Sequence, residues 1–264
     1  MPLAIATSLV CHFDQPTDFM LQIEAAILPE QRLISSRIDC TPGDHFARVP
    51  AQEHIGDRIW LRHAGEFRVD YGAKLQIGRK VADLASLAAL EPHELPGEAV
   101  DYMLDSRYCD ATSFQPFVEE QFGQLAGGER VLAMRDWIAE HFRYVPGSSD
   151  IHTTATDSFM ARRGVCRDYA HVLITLARAS TIPARYVSGY GPDVTPQDFH
   201  AVVEVFLADP SGEGGTWQIV DATGMSDGSE FAKIAVGRDA ADAGFMTSYG
   251  FSTLIAKDIS VERG

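Results

Sequence analysis

The sequence predicts an α+β protein: an N-terminal antiparallel β-sandwich or barrel, followed by a region in which helices come first and pack on a second antiparallel sheet. Three observations lead there. From Leu3 to about Ile77, short β-rich runs recur at a spacing of roughly 10 to 14 residues. Around R-G-V-C-R-D-Y-A-H (Arg163 to His171), apolar and small residues fall on one helical face. After that helix come strand-like runs that do not alternate with further helices, so a parallel βαβ layout is excluded.

The composition suits a globular chain. Its 264 residues are 45% hydrophobic and 22% charged, long enough for one large domain or two modest ones. A formal net charge of −15 argues against nucleic acid or an anionic membrane as partner, because both require positive surface. The four cysteines, Cys11, Cys40, Cys109 and Cys166, do not make a disulfide scaffold, and a reducing compartment follows. The apolar run ending at Val10 has no Lys or Arg before it and no cleavage pattern. It reads as a first strand, with Ile5, Thr7, Leu9, Cys11 and Phe13 alternating against their neighbours. No stretch approaches the ~20 apolar residues of a membrane-spanning helix, and a cytoplasmic location is expected.

Residues 1–95 are expected to form the β-domain, with strands over Phe19 to Ile23, Leu33 to Ile38, Ile55 to Leu61 and Phe67 to Tyr71. Thr41-Pro42-Gly43-Asp44 and Ala64-Gly65 read as turns between them. His12, His45, His54, His63 and His93 lack metal-ligand spacing and read as surface residues, so no metal and no other cofactor is expected. Residues 96–115 form a connector, with a short helix over Glu98 to Tyr108 and Cys109 as a structural thiol. Residues 116–264 are the second domain. It has a helix from about Glu129 to Phe142, a Thr-rich loop through Asp157, a helix from Cys166 to about Ser180, and strands over Ala184 to Tyr190, Phe199 to Leu207, Trp217 to Ala222 and Thr253 to Val261.

Chemistry concentrates on Cys166. A cysteine in the first helical turn faces unpaired N–H groups and the positive end of the helix dipole, both of which favour the nucleophilic thiolate. Gly164 allows the sharp approach to it. A thiol nucleophile needs a base, and only histidine titrates near neutrality without help. His171 is five residues along the helix, about 140° around its axis, and reads as packing or surface. His200 opens the run H-A-V-V-E-V-F, and W-Q-I-V-D-A-T ends near Asp221. A hairpin centred near Pro210 and Ser211 makes His200 and Asp221 cross-strand neighbours about 5 Å apart. A carboxylate is thereby brought to orient the imidazole.

Together R-G-V-C-R-D-Y-A-H, I-P-A-R-Y-V-S-G-Y (Ile182 to Tyr190), D-F-H-A-V-V-E-V-F (Asp198 to Phe206) and W-Q-I-V-D-A-T (Trp217 to Thr223) resemble the bacterial transglutaminase-like superfamily. The resemblance covers roughly residues 115 to 264, and the preceding β-region resembles the N-terminal domain often found with bacterial members. It implies a papain-like core with the nucleophile helix packed on an antiparallel sheet. It also implies Cys166 as nucleophile, His200 as general base and acid, and Asp221 as orienting group. The segment Gly237 to Asp242 fits as a supporting element. The chain departs from the G-Q-C-W motif of the animal transglutaminases, with Val165 and Arg167 flanking Cys166. It also lacks a calcium loop: Ser211 and Glu213 have ligand-like spacing after Asp209, but Val220 stands where the closing glutamate belongs.

These departures count against calcium-dependent cross-linking, and the resemblance to bacterial members implies hydrolysis of an amide bond through a thioester, as in a cysteine peptidase or amidase acting on a peptide, protein or small amide. Transfer of the acyl group to an amine is the alternative, and a non-catalytic binding module on the same fold is a further one. A serine hydrolase is excluded because Ser188 lies in Y-V-S-G-Y and not G-x-S-x-G. Nucleotide binding fails because Gly189-Tyr190-Gly191 lacks the third glycine.

Overall fold

The computed structural model describes residues 2–212 and 214–264, so Glu213 lies outside the described residues. Two long strands form the spine of the first layer, β1 (Pro2–Leu21) and, after β2 (Gln31–Cys40) and β3 (His45–Pro50), β4 (Asp57–Ile77). They pair antiparallel from Pro2↔Gln76 to Leu21↔Ile59. Along β1 the expected alternation holds, with Leu3, Ile5, Thr7, Leu9, Cys11 and Phe13 buried. The separate strands expected over Ile55 to Leu61 and Phe67 to Tyr71 are one. The Ala64-Gly65 turn signal marks a bulge, where the register passes from Phe13↔Gly65 to Thr17↔His63 and Gly65 takes a φ of +84°. A bulge with a left-handed glycine bends a strand without ending it.

The connector carries α1 (Gly97–Val100), shorter than expected, and leads to α2 (Gln115–Phe122) and α3 (Gly127–His141). Next come β5 (Arg143–Tyr144), α4 (Ala155–Ala161), β6 (Arg163–Gly164) and α5 (Cys166–Ala179). A second antiparallel sheet follows: β7 (Ala184–Tyr190), β8 (His200–Ala208), β9 (Gly215–Val220) and β10 (Ala232–Gly237), in the order β10-β7-β8-β9. The chain ends with α6 (Ala240–Ala243), β11 (Met246–Ser248) and β12 (Thr253–Arg263). This is an α+β fold of antiparallel sheets with helices packed on the second.

The strand over Thr253 to Val261 was expected to belong with its sequence neighbours. It instead runs beside β1, from Leu3↔Arg263 to His12↔Thr253, and β11 pairs with the far end of β1. The first layer is therefore one six-stranded sheet in which β11 and β12 flank β1 while β2 and β3 flank β4. The local strand signal in T-L-I-A-K-D-I-S-V is real, but partner choice depends on which edge has a matching apolar face. Ile259 and Val261 supply that face against Ile5 and Thr7. One hydrophobic cluster runs through both layers, joining Leu9 and Phe67 to Leu173, Val203 and Ile234.

Helix α5 sits at the centre, buried on every side from Asp168 to Ala179. Tyr169, Leu173, Leu176 and Ala177 belong to the shared core, while Asp168, His171, Thr175 and Arg178 form a buried polar stripe. Buried polar groups need partners, and the connector and the segment after β10 supply most of them. Arg178 donates to the carbonyls of Ala184, Leu104 and Arg238. His171 stacks on Tyr108 at 5.0 Å, and its Nε2 accepts the Ala240 N–H at 3.1 Å.

Candidate active site

Cys166 opens α5 because the preceding turn is held from several sides. Tyr144 pairs with Gly164, and the Val145 N–H donates to the Gly164 carbonyl at 2.9 Å. The Asp168 carboxylate reaches back to accept the Val165 N–H at 2.8 Å and the Ser149 hydroxyl at 2.5 Å, satisfying a donor at the helix start. Gly164 is required for space: a Cβ there would stand 2.5 Å from the Asp168 Cβ. Gly164 thus serves close approach to Asp168 and not a left-handed turn. The half-buried Cys166 thiol lies 4.0 Å from the Phe199 carbonyl, the residue before His200.

His200 begins β8, with its ring fully buried. Its Nε2 meets Asp221 Oδ2 at 2.8 Å. Among the described residues Nδ1 has no partner within hydrogen-bond distance, and the Cys166 thiol lies close enough to the ring to act on its charge. Burial disfavours the charged ring. The hydrogen bonds and charges of Asp221 and Cys166 outweigh it and raise His200 to about 10. Asp221 is itself well furnished with donors. The Thr223 N–H and hydroxyl reach Oδ1 at 2.8 and 2.7 Å, and the Ser226 N–H and hydroxyl reach Oδ2 at 2.9 Å each. Burial would raise its ionisation, but the contacts to His200 and Thr223 prevail and hold it below the usual carboxylate range.

The hairpin that joins His200 and Asp221 turns through Asp209 and Gly214, whose backbones bond at 3.0 Å. Its register pairs Val203 with Val220 and Ala208 with Gly215. The tip therefore lies one residue beyond the expected Pro210-Ser211 centre, and the partners of every residue move by two. Side chains alternate with period two, so a shift of two keeps both residues on the same face. His200 and Asp221 meet diagonally rather than directly across.

The structure also brings to Cys166 a residue that the sequence reading did not name. The pairing of β5 with β6 sets Tyr144 against Gly164, two residues before Cys166, and the Cys166 sulfur acts on its hydroxyl electrostatically. Burial first, and the sulfur's charge second, push its ionisation well above the ordinary phenol range, so it remains a protonated donor. The signal lay in F-R-Y-V-P-G, at the end of the helix expected from about Glu129 to Phe142.

The remaining candidates are structural. His171 is buried in the core, lowered to about 3 chiefly by burial. Cys109 is fully buried, its thiol pushed up to about 12 by burial. Asp239 accepts the Tyr108 and Ala241 N–H groups at 2.9 and 2.8 Å, the supporting part expected of its segment. Among the described residues no group of three or more His, Cys, Asp or Glu could hold a metal ion, and no helix is long and apolar enough to cross a membrane.

Comparison with known proteins places this arrangement. Residues 116–222 match the family model of the transglutaminase-like superfamily. A solved structure from Cytophaga hutchinsonii, provisionally described as a cysteine protease, is 30% identical and superposes with a TM-score of 0.92. That match covers 99% of this chain and 90% of the other. The chain belongs to the transglutaminase-like superfamily. A Mycobacterium leprae protein of no stated function is 30% identical over 121 residues, 42% of this chain and 41% of that one. A Mycobacterium tuberculosis protein is 35% identical over 107 residues, 39% of this chain and 33% of that one. The matches thus span less than half of these curated relatives.

Proposed function

We propose that the protein is a cysteine-dependent amidase or peptidase using Cys166, His200 and Asp221. The observation that carries this reading is the buried imidazole held at 2.8 Å by Asp221, with the Cys166 thiol at a helix start 4.0 Å from the carbonyl of the residue before it. His200 in its charged form pairs with the Cys166 thiolate. The thiolate attacks the amide carbonyl carbon, a C–S bond forms, and the carbonyl electrons move to oxygen. The Cys166 N–H and the Tyr144 hydroxyl receive that oxyanion. Collapse breaks the C–N bond, and His200 passes its proton to the departing amine, leaving a thioester. His200 next takes a proton from water as the water attacks the thioester, releasing the acid and restoring the thiolate. Asp221 keeps the ring oriented and stabilises its charge throughout.

The test uses an activated ester, with p-nitrophenyl acetate as probe. Burst release of nitrophenol together with an acetyl group on Cys166 in intact-mass spectra, both lost in Cys166→Ala, is the expected result. Adding a primary amine then partitions the acyl group. Acetate as the main product supports hydrolysis; acetylated amine as the main product assigns the chain to acyl transfer instead. Turnover unchanged in Cys166→Ala contradicts the reading.

A further inference from the structure

The segment before His200 packs against β12 and the residue that precedes β11. The Phe199 ring stacks on Phe245 with centroids 4.7 Å apart and planes 12° from parallel. Lys257 of β12 extends its ammonium over Phe245 at 5.8 Å and pairs with Asp198. Asp198 stands two residues before His200. Its Oδ1 accepts only the Phe199 N–H, at 2.7 Å, and its Oδ2 the Lys257 ammonium. A carboxylate offers about four lone-pair sites, so acceptor positions remain on a side chain 38% exposed. The next residue, Phe199, sets its carbonyl 4.0 Å from the Cys166 sulfur. The half-exposed Asp198 carboxylate is thus one residue from the backbone group nearest the sulfur.

The fold does not require this pair. Half-exposed ion pairs contribute little to stability, and β12 is already tied to the same loop by the Val261 N–H, which donates to Gln197 Oε1 at 2.9 Å. Lysine is a mobile point charge on a four-carbon stem and exchanges readily with another cation. We propose that Asp198 is a specificity-determining residue that binds a cationic nitrogen, ammonium or guanidinium, on the substrate beside the scissile amide. Lys257 is the resident counter-ion that the substrate displaces. This rests on the reading of Cys166 as the nucleophile.

Methanethiosulfonate reagents carrying an ammonium, a sulfonate or no charge test it without a known substrate. Their rates at Cys166 are followed by mass spectrometry, and the ammonium-to-sulfonate ratio is compared with that for a small free thiol. The ratio is expected to exceed the free-thiol value, to fall about fivefold in Asp198→Asn and to rise by a similar factor in Lys257→Met. Asp39→Asn, on exposed β2, is expected to leave it unchanged and so separates a local effect from the overall negative charge. A ratio that is equal in all four proteins, or that moves as far in Asp39→Asn as in Asp198→Asn, overturns the proposal. Failure of the nucleophile reading shows separately, as a rate with the uncharged reagent that His200→Ala does not change.

Discussion

His200 is held by opposing influences, and their balance decides what it can do. Burial alone would strip its proton, but Asp221 and the Cys166 sulfur restore it and carry the ring to about 10. Two consequences belong to this scale. The charged ring contributes stability that is fully present below the unfolded value of 6.5 and is lost as pH rises through about 10. Thermal melts across that window are expected to fall with pH in the wild type and to flatten in His200→Ala; equal slopes would contradict the assignment of charge. Catalysis supplies the second. Asp221→Asn is expected to lower kcat by about 10²- to 10⁴-fold, and Tyr144→Phe by about 10²-fold with little change in KM. A Tyr144→Phe variant with wild-type kcat would remove the hydroxyl from the mechanism. Residue identity made Cys166, His200 and Asp221 legible as candidates in the sequence, because few side chains can serve as nucleophile, base and orienting group, and the structure holds His200 against Asp221. Tyr144 was not legible: a tyrosine after a helix end has many roles, and only the pairing of β5 with β6 brings it to the sulfur.

At the scale of elements, α5 depends on the close approach of Gly164 to Asp168. A methyl group at Gly164 has no room, so Gly164→Ala is expected to destabilise the protein by about 1–3 kcal/mol and to slow reactions at Cys166. Denaturant unfolding checks the first, and a midpoint equal to wild type would contradict it. The helix itself was predictable from its three-and-four pattern. Its polar stripe was not, because Asp168, His171, Thr175 and Arg178 look like a solvent-facing side until the connector is seen to cover them. Helix α4 was read as loop although Thr154 and Asp157 form a capping box, each accepting the other's N–H, at 3.2 and 2.9 Å. The hairpin was placed correctly by its turn residues but two residues out of register. Loop length sets register, and D-P-S-G-E-G-G offers several closures. β1 and β4 were divided because a bulge and a turn carry the same glycine signal.

Across the whole molecule, the division at residue 116 follows sequence order and not the sheets. β11 and β12 complete the layer begun by β1, and the apolar cluster is continuous. Specific polar ties cross between the layers. The Tyr190 hydroxyl donates to the Ile23 carbonyl at 2.6 Å, Gln31 bonds the backbone of Lys233, and Arg185 joins Glu53 to Glu204. Calorimetry of the full chain is expected to show one cooperative transition, and two separated transitions would contradict this coupling. Fold class was visible in the order of helices and strands. Which sheet the last strand joins was not, because strand pairing over some 250 residues of chain leaves no local mark.

The central claim is that His200 activates Cys166. Brief iodoacetamide treatment of the native protein near neutral pH, read by mass spectrometry at each cysteine, tests it most directly. Cys166 is expected to be modified well ahead of Cys11, Cys40 and Cys109, and His200→Ala to abolish that lead. A Cys166 no more reactive than the other three, with no effect of the substitution, would contradict it.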